Sequence, residues 1–243
     1  MTHWEEELPD GEAGRYAELI ERRYKGEPVQ YITSETEFYG LPFLVTPDVL
    51  IPRPETEHLV EKVIELAASF SAPRIIDVGT GSGAIAVALA CHLLHAAITA
   101  TDVSVSAPVI ARENAARNRV SDRIRFFEAD LLATFASEQF DIVVSNPPYV
   151  AEADRASLAA EVRDYEPDLA LFAGEDGLEF YRRLIPSAFD AVTSGGFIAL
   201  EIGYGQSPAI AQLLAATGFQ QIEFLPDLRG IPRVACAKRP DRS

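Results

Sequence analysis

From Arg74 onward the chain alternates short runs rich in β-branched residues with segments of helical length: RIIDVG, AIAVALACHLLH, AITATDVS, PVIARENAARN, RIRFFEADL and FDIVVSN. This alternation constrains the fold more than any other feature, because strands separated by helices pair in parallel and bury both sheet faces. A helix is expected around LEFYRRLIPSAFDAV, then a strand in GGFIALEIG, a helix in SPAIAQLLAAT and strands in QQIEFLP and RVACAKR. The DLRGIP link between the last two is too short for a crossover helix, so that pair should be antiparallel. The result is an α/β fold around a seven-stranded, mostly parallel sheet with six strands in one direction and one reversed.

Before Arg74, Leu59, Val60, Val63, Ile64 and Ala67 fall at helical spacing and predict a helix covering the sheet. Residues 28–46 carry aromatic and β-branched residues on both sides of Tyr39-Gly40-Leu41-Pro42, which predicts a β-hairpin. Glu12 to Lys25 read as one exposed helix. Two parts follow, a short helix and hairpin over 1–50 and a larger α/β domain over 51–243.

Composition narrows the function. Hydrophobic residues at 48% and charged residues at 24% are ordinary for a globular protein. A net charge of −16 argues against broad contact with a phosphate backbone, whose affinity comes from Lys and Arg displacing counterions. Cys91 and Cys236 are too few for a disulfide framework, and MTHWEEELPD has no signal-peptide pattern, so a cytoplasmic location is expected. The longest apolar run, Ala84 to Ala100, is interrupted by His92 and His95 and does not read as a membrane span. His3, His58, His92 and His95 lack metal-ligand spacing with carboxylates, so no metal site is expected.

Gly79-Thr80-Gly81-Ser82-Gly83 follows the first strand of the alternation and opens a helix. Glycines there permit a tight turn and let a ligand reach the helix N-terminus, whose N–H groups favour an anion. Asp102 ends the next strand, placed to accept hydrogen bonds from a ribose diol. Gly79, Gly81 and Ala84 also fit the dinucleotide fingerprint, so this loop predicts an adenosine cofactor without choosing between NAD and a methyl donor.

A second motif separates the two. FDIVVS runs into Asn146-Pro147-Pro148-Tyr149, where two prolines lock φ, remove two backbone donors and end the strand in a stiff path. Such an edge, holding an amide and an aromatic ring, suits a planar, amide-like substrate. The glycine loop, the strand-end Asp102 and Asn146 to Tyr149 together resemble the class I (Rossmann-like) S-adenosylmethionine methyltransferases that act on planar nitrogen. Ile51-Pro52-Arg53-Pro54-Glu55-Thr56-Glu57, Val162 to Pro167 and Gly174 to Arg183 sharpen the resemblance to the release factor glutamine methyltransferases, the PrmC/HemK family, from about Pro9 to the C-terminus.

The resemblance implies transfer of a methyl group from S-adenosylmethionine to the glutamine side-chain amide in the Gly-Gly-Gln motif of peptide chain release factors. It assigns Gly79, Thr80, Gly81, Ser82, Gly83 and Asp102 to the cofactor and puts Asp130 and Leu131 on its adenine side. Leu131 reads equally well as ordinary core. Asn146, Pro147, Pro148 and Tyr149 are assigned to the substrate glutamine, with Asn146 at the boundary with the cofactor and Asn146, Pro147 and Tyr149 in the catalytic role. Arg53 to Glu57 are expected either as a lid or simply as a helix N-terminus. The family usually carries a longer N-terminal helical domain, so residues 1–50 are expected to be its shortened form.

The protein is expected to be a monomer with a protein substrate and no direct contact with nucleic acid. The alternatives are a ribosomal protein glutamine methyltransferase and a nucleic acid amine methyltransferase. The latter would need a basic groove beside Asn146, with Arg112, Arg117, Arg119, Arg123 and Arg125 as candidates. An NAD-dependent oxidoreductase, which leaves Asn146 to Tyr149 unexplained, and an inactive nucleoside-binding module complete the set.

Overall fold

Both faces of the main sheet are buried, and the strand sequences show it. The computed structural model describes residues 11–241; the first ten residues, His3 among them, and the last two lie outside that range. The sheet contains β3 (Arg74–Val78), β4 (Ala97–Asp102), β5 (Ile124–Glu128), β6 (Phe140–Ser145), β7 (Val192–Glu201), β8 (Gln220–Pro226) and β9 (Pro232–Lys238). Their spatial order is β5-β4-β3-β6-β7-β9-β8, with β9 antiparallel to both neighbours and every other pairing parallel. This is the class I methyltransferase arrangement expected from the sequence, and the β8–β9 pair is the hairpin that the short link required.

Alternate residues of each strand enter two separate cores. Ile75, Ile142, Val144, Ala199 and Val234 pack on one face with α3 (Glu57–Ala67), α4 (Ala84–His92) and α5 (Ala107–Arg117). Ile76, Val78, Val143, Ile198 and Leu200 pack on the other with α8 (Glu179–Ala191) and α9 (Ser207–Thr217). Two-sided burial explains why these strands are nearly continuous apolar runs. Ala84 through Ala90 are all buried, so α4 is apolar around its circumference and contains no polar stripe. Among the described residues, no helix is long and apolar enough to cross a membrane.

The amino-terminal region departs from the expected long hairpin. Val29–Thr33 form a short helix, α2, and only Glu35–Phe38 (β1) and Leu41–Leu44 (β2) pair. Pro28 begins the helical turn, its carbonyl accepts from the Tyr31 and Ile32 amides, and buried Tyr31 donates its hydroxyl to the Val49 carbonyl at 2.6 Å. This packing outweighs the strand preference of Val29, Ile32 and Thr33. The hairpin turn itself is as expected: Tyr39 and Gly40 both have positive φ, as a type I′ turn requires. The exposed helix α1 (Glu12–Tyr24) also forms as expected, with no buried residue. Arg23 reaches Glu161, and Tyr165 donates to the Lys25 carbonyl, tying the end of α1 to α6 (Ala160–Tyr165).

One buried amide joins the hairpin to the glycine loop. Asn114 on α5 accepts from the Leu44 amide at 2.6 Å and donates to the carbonyls of Leu44 at 2.9 Å and Ser82 at 2.8 Å. Asn114→Ala removes all three bonds and leaves buried backbone groups unpaired, so it should destabilise the fold by about 2–4 kcal/mol in chemical denaturation. A loss below about 0.5 kcal/mol would mean that the hairpin is held by its apolar face alone.

Candidate active site

The carboxyl ends of β3, β4 and β6 open onto a cavity of about 550 Å³, the location where open α/β sheets bind ligands. Gly79, Thr80, Gly81, Ser82, Asp102, Asp130, Leu131, Asn146 and Pro148 all line it. Gly83, Pro147 and Tyr149 lie outside its lining. Gly83 has φ of +82° at the α4 N-cap, and a Cβ there would approach the Ala111 Cβ to 3.0 Å, so this glycine allows α4 and α5 to pack closely. Leu131 satisfies both expectations, because it belongs to a buried core cluster and lines the cavity.

The glycine loop is held from below. Gly79 and Thr80 donate their amides to the Thr101 carbonyl at 2.8 Å each, and Gly81 donates to Asp102 Oδ2 at 2.8 Å. Asp102 Oδ1 accepts from the Ser104 amide, so both oxygens are oriented by backbone while the side chain lines the cavity. Burial raises its pKa. Fully buried Asp77 accepts from Thr80 Oγ1 at 2.6 Å, its Oδ1 has no protein partner, and burial pushes its carboxyl up to about 7.

Two further segments complete the walls. Val150 exchanges backbone hydrogen bonds with Leu171 and Ala173, which brings Leu169, Ala170, Phe172 and Ala173 beside Asn146 and Pro148. Pro47, Asp48, Val49, Leu50, Pro52 and Thr56 form another part of the wall. Arg53 pairs with buried Glu166 at 2.5 Å, connecting the wall before α3 to the segment after β6. The Pro54–Thr56 turn leads directly into α3, so Arg53 to Glu57 form a helix N-terminus, and of them only Thr56 lines the cavity.

The support beneath Asn146 to Tyr149 was not evident from the sequence. Asn146 Nδ2 donates to Thr56 Oγ1 at 3.0 Å, and Thr56 Oγ1 donates to Glu201 Oε2 at 2.6 Å. Tyr149 points its hydroxyl at Glu201 Oε1, 3.4 Å away. Glu201 is buried at the end of β7, and burial pushes its carboxyl up to about 7. Gln206 donates to the carbonyls of Tyr149 and Gly177 and accepts from the Gly203 amide, fixing the path by which the chain leaves the motif. A Cβ on Gly177 would collide with the Tyr149 carbonyl.

The cavity's charge bears on its ligand. Asp48, Asp102, Asp130 and Glu179 place carboxylates on the wall, against one guanidinium, Arg183, which is tied to Asp130 at 2.6 Å. An acidic wall disfavours a pyrophosphate and suits a ligand carrying sulfonium and ammonium charges. The arginines considered for a basic groove do not line the cavity. Arg123 donates to the carbonyls of Ala90 and Leu93, Arg125 pairs with Glu138, Arg112 donates to the Phe126 carbonyl and Arg117 pairs with Glu35.

Comparisons with known proteins find relatives over nearly the whole chain. The family model described as methyltransferase small domain matches residues 55–162, and that described as PrmC N-terminal domain matches residues 1–33. The release factor glutamine methyltransferase of Koribacter versatilis is 45% identical, aligned over 99% of this chain and 85% of its own length. That of Neisseria gonorrhoeae is 44% identical over 98% and 86% of the two chains. Among solved structures, a ribosomal protein L11 methylase from Lactobacillus delbrueckii subsp. bulgaricus superposes with a TM-score of 0.58 at 26% identity, over 82% of this chain and 84% of that one.

The raised Asp77 carboxyl predicts a measurable pH dependence. Its pKa is about 7 when folded against 3.8 for a solvent-exposed aspartate, so the folded state holds the proton more tightly. The resulting stability is complete below the unfolded value and is lost as pH rises through about 7. In the ligand-free protein, Asp77→Asn should therefore reduce the fall in melting temperature between about pH 5 and pH 8 relative to wild type. Parallel curves for the two proteins would contradict the assigned burial cost.

Proposed function

The chain belongs to the release factor glutamine methyltransferase family, and from that premise we infer that it methylates the side-chain amide of glutamine in the Gly-Gly-Gln loop of peptide chain release factors. The observation that carries this reading is Asn146, held at the cavity wall with its amide nitrogen committed to Thr56 and its oxygen left for a substrate N–H. The acidic wall and the absence of the candidate arginines from it support a protein substrate and a cationic methyl donor. On this reading residues 51–243 form the methyl-transfer domain, while residues 1–50 help to hold the protein substrate.

The residues around the cavity fit S-adenosylmethionine. Asp102 would take the ribose diol, Asp130 and Leu131 would flank the adenine, and the Gly79 to Gly83 loop at the α4 N-terminus would receive the methionine carboxylate. When bound, S-adenosylmethionine supplies a methyl group already activated by its sulfonium.

An amide nitrogen is a poor nucleophile because its lone pair is delocalised into the carbonyl. The chain's part is therefore to orient and polarise that nitrogen. Asn146 lines the cavity and its side-chain oxygen accepts one of the two hydrogens, directing the lone pair towards the methyl group; the Pro147 carbonyl as second acceptor and Tyr149 beside the planar amide are roles the family resemblance implies, since both residues lie outside the cavity lining. As the N–C bond forms, the sulfur–methyl bond of the donor would break with its electron pair left on sulfur as a neutral thioether, and the nitrogen would lose one proton to solvent to become a neutral N5-methyl amide. Rate enhancement comes from position and preorganised acceptors, with no covalent enzyme intermediate.

Two substitutions separate the donor site from the acceptor site. Asn146→Ala should bind S-adenosylmethionine as wild type does in calorimetry, while methyl transfer to release factor falls about a hundredfold or more. Asp102→Ala should show the reverse emphasis, with weakened cofactor affinity as its first effect. Wild-type turnover by the Asn146 variant would overturn the proposed acceptor role, and unchanged affinity in the Asp102 variant would overturn the cofactor orientation.

A further inference from the structure

We propose that Thr56, backed by the Glu201 carboxylate, is a positioning residue that fixes which end of the Asn146 amide faces the substrate. The inference rests on the reading of Asn146 as the acceptor for the substrate amide. An asparagine side chain has nearly the same shape when its amide is turned by half a rotation, so packing alone does not choose between the orientations. Chemistry does distinguish them. With its oxygen forward, Asn146 accepts from an incoming –NH2 group; turned over, it opposes that group with another –NH2, donor against donor.

The hydrogen-bond chain behind Asn146 selects the productive orientation. Thr56 Oγ1 has a single proton and donates it to Glu201 Oε2 at 2.6 Å, leaving only lone pairs towards Asn146. Burial raises the Glu201 carboxyl to about 7, and above that pH its ionised form accepts and cannot donate, so there this direction is imposed from the buried end. The lone pairs on Thr56 require a donor at 3.0 Å, and Asn146 Nδ2 supplies it. Turning the amide over would set Asn146 Oδ1 against the threonine lone pairs at the same distance, leaving a polar atom unpaired beside the cavity.

The anchor at Glu201 is itself well located. Its carboxylate is buried, the Tyr149 hydroxyl approaches its other oxygen, and Tyr181 donates to its backbone carbonyl at 2.7 Å. Thr56 enters from the turn before α3, ninety residues from Asn146 in sequence. One carboxylate at the end of β7 therefore supports both polar side chains of the substrate motif, Asn146 through Thr56 and Tyr149 directly.

The test uses Thr56→Val, which keeps the shape and removes the hydroxyl, and Thr56→Ser, which restores it. In the ligand-free, isotope-labelled protein, Thr56→Val should displace the Asn146 side-chain amide resonances in proton–nitrogen spectra, and Thr56→Ser should return them close to wild-type positions. Thr56→Val should also lower kcat for release factor methylation about tenfold or more while leaving S-adenosylmethionine affinity within about threefold. In an Asn146→Ala background the same change should have no further effect on kcat, because its influence passes through Asn146. Unmoved Asn146 resonances, failure of serine to restore them, or an additive loss in the double variant would overturn the proposal. The spectra need no substrate, so lack of activity towards release factor in wild type would overturn the functional reading while leaving this test intact.

Discussion

The site depends on how β6 stops. Pro147 and Pro148 remove the backbone donors that would continue a parallel ladder, so the chain must leave the sheet directly after Ser145. Ser145 is itself fixed, donating its hydroxyl to the Val78 carbonyl at 2.6 Å, which sets the end of β6 against the strand carrying the glycine loop. The glycine loop and the Asn146 to Tyr149 motif are thereby placed relative to each other by adjacent strands. What remains is to orient a few side chains on that rigid edge. The structure does so with buried hydrogen bonds from distant segments: Thr56 and Glu201 behind Asn146, Glu201 behind Tyr149, and Gln206 on the Tyr149 carbonyl.

Charge organises the same space. Among the described residues the cavity wall is acidic, and the Arg183 guanidinium on it is engaged by Asp130. Two carboxyls nearby, Asp77 beneath the glycine loop and Glu201 beneath Asn146 to Tyr149, are both raised to about 7 by burial. Buried carboxylates cost stability when ionised. Their positions, one under each half of the cavity, indicate that this cost is accepted where loop geometry must be held by directed hydrogen bonds.

Much of this was legible in the sequence because its causes are local. Strands buried on both faces must be apolar throughout, so β3, β4, β6 and β7 announced themselves, as did the antiparallel final pair from its short link. The glycine loop, Asp102, Leu131 and Asn146 were recognisable from strand ends, and the structure brings them to one cavity. The opening strand of the hairpin was misread because Val29, Ile32 and Thr33 have strand preference, whereas Pro28 and the buried Tyr31 hydroxyl decide the local conformation. Glu201 and Gln206 were missed, and Thr56 was named only within the expected lid or helix N-terminus, because their roles depend on contacts with partners far along the chain. Glu201 offered one signal, a carboxylate closing the apolar run FIALE at a strand's carboxyl end. Arginines clustered in sequence around α5 and β5 suggested a groove, but Arg112, Arg117, Arg123 and Arg125 are engaged by backbone carbonyls and nearby carboxylates.

The central claim is that this acidic cavity and its proline-bounded asparagine serve the side-chain amide of a release factor glutamine. The most direct measurement is a competition in which the protein receives labelled S-adenosylmethionine with equimolar release factor, ribosomal protein and nucleic acid, followed by tandem mass spectrometry of the labelled product. The account predicts one added methyl group on the glutamine of the Gly-Gly-Gln loop. A methyl group confined to ribosomal protein or to a nucleic acid base would contradict it.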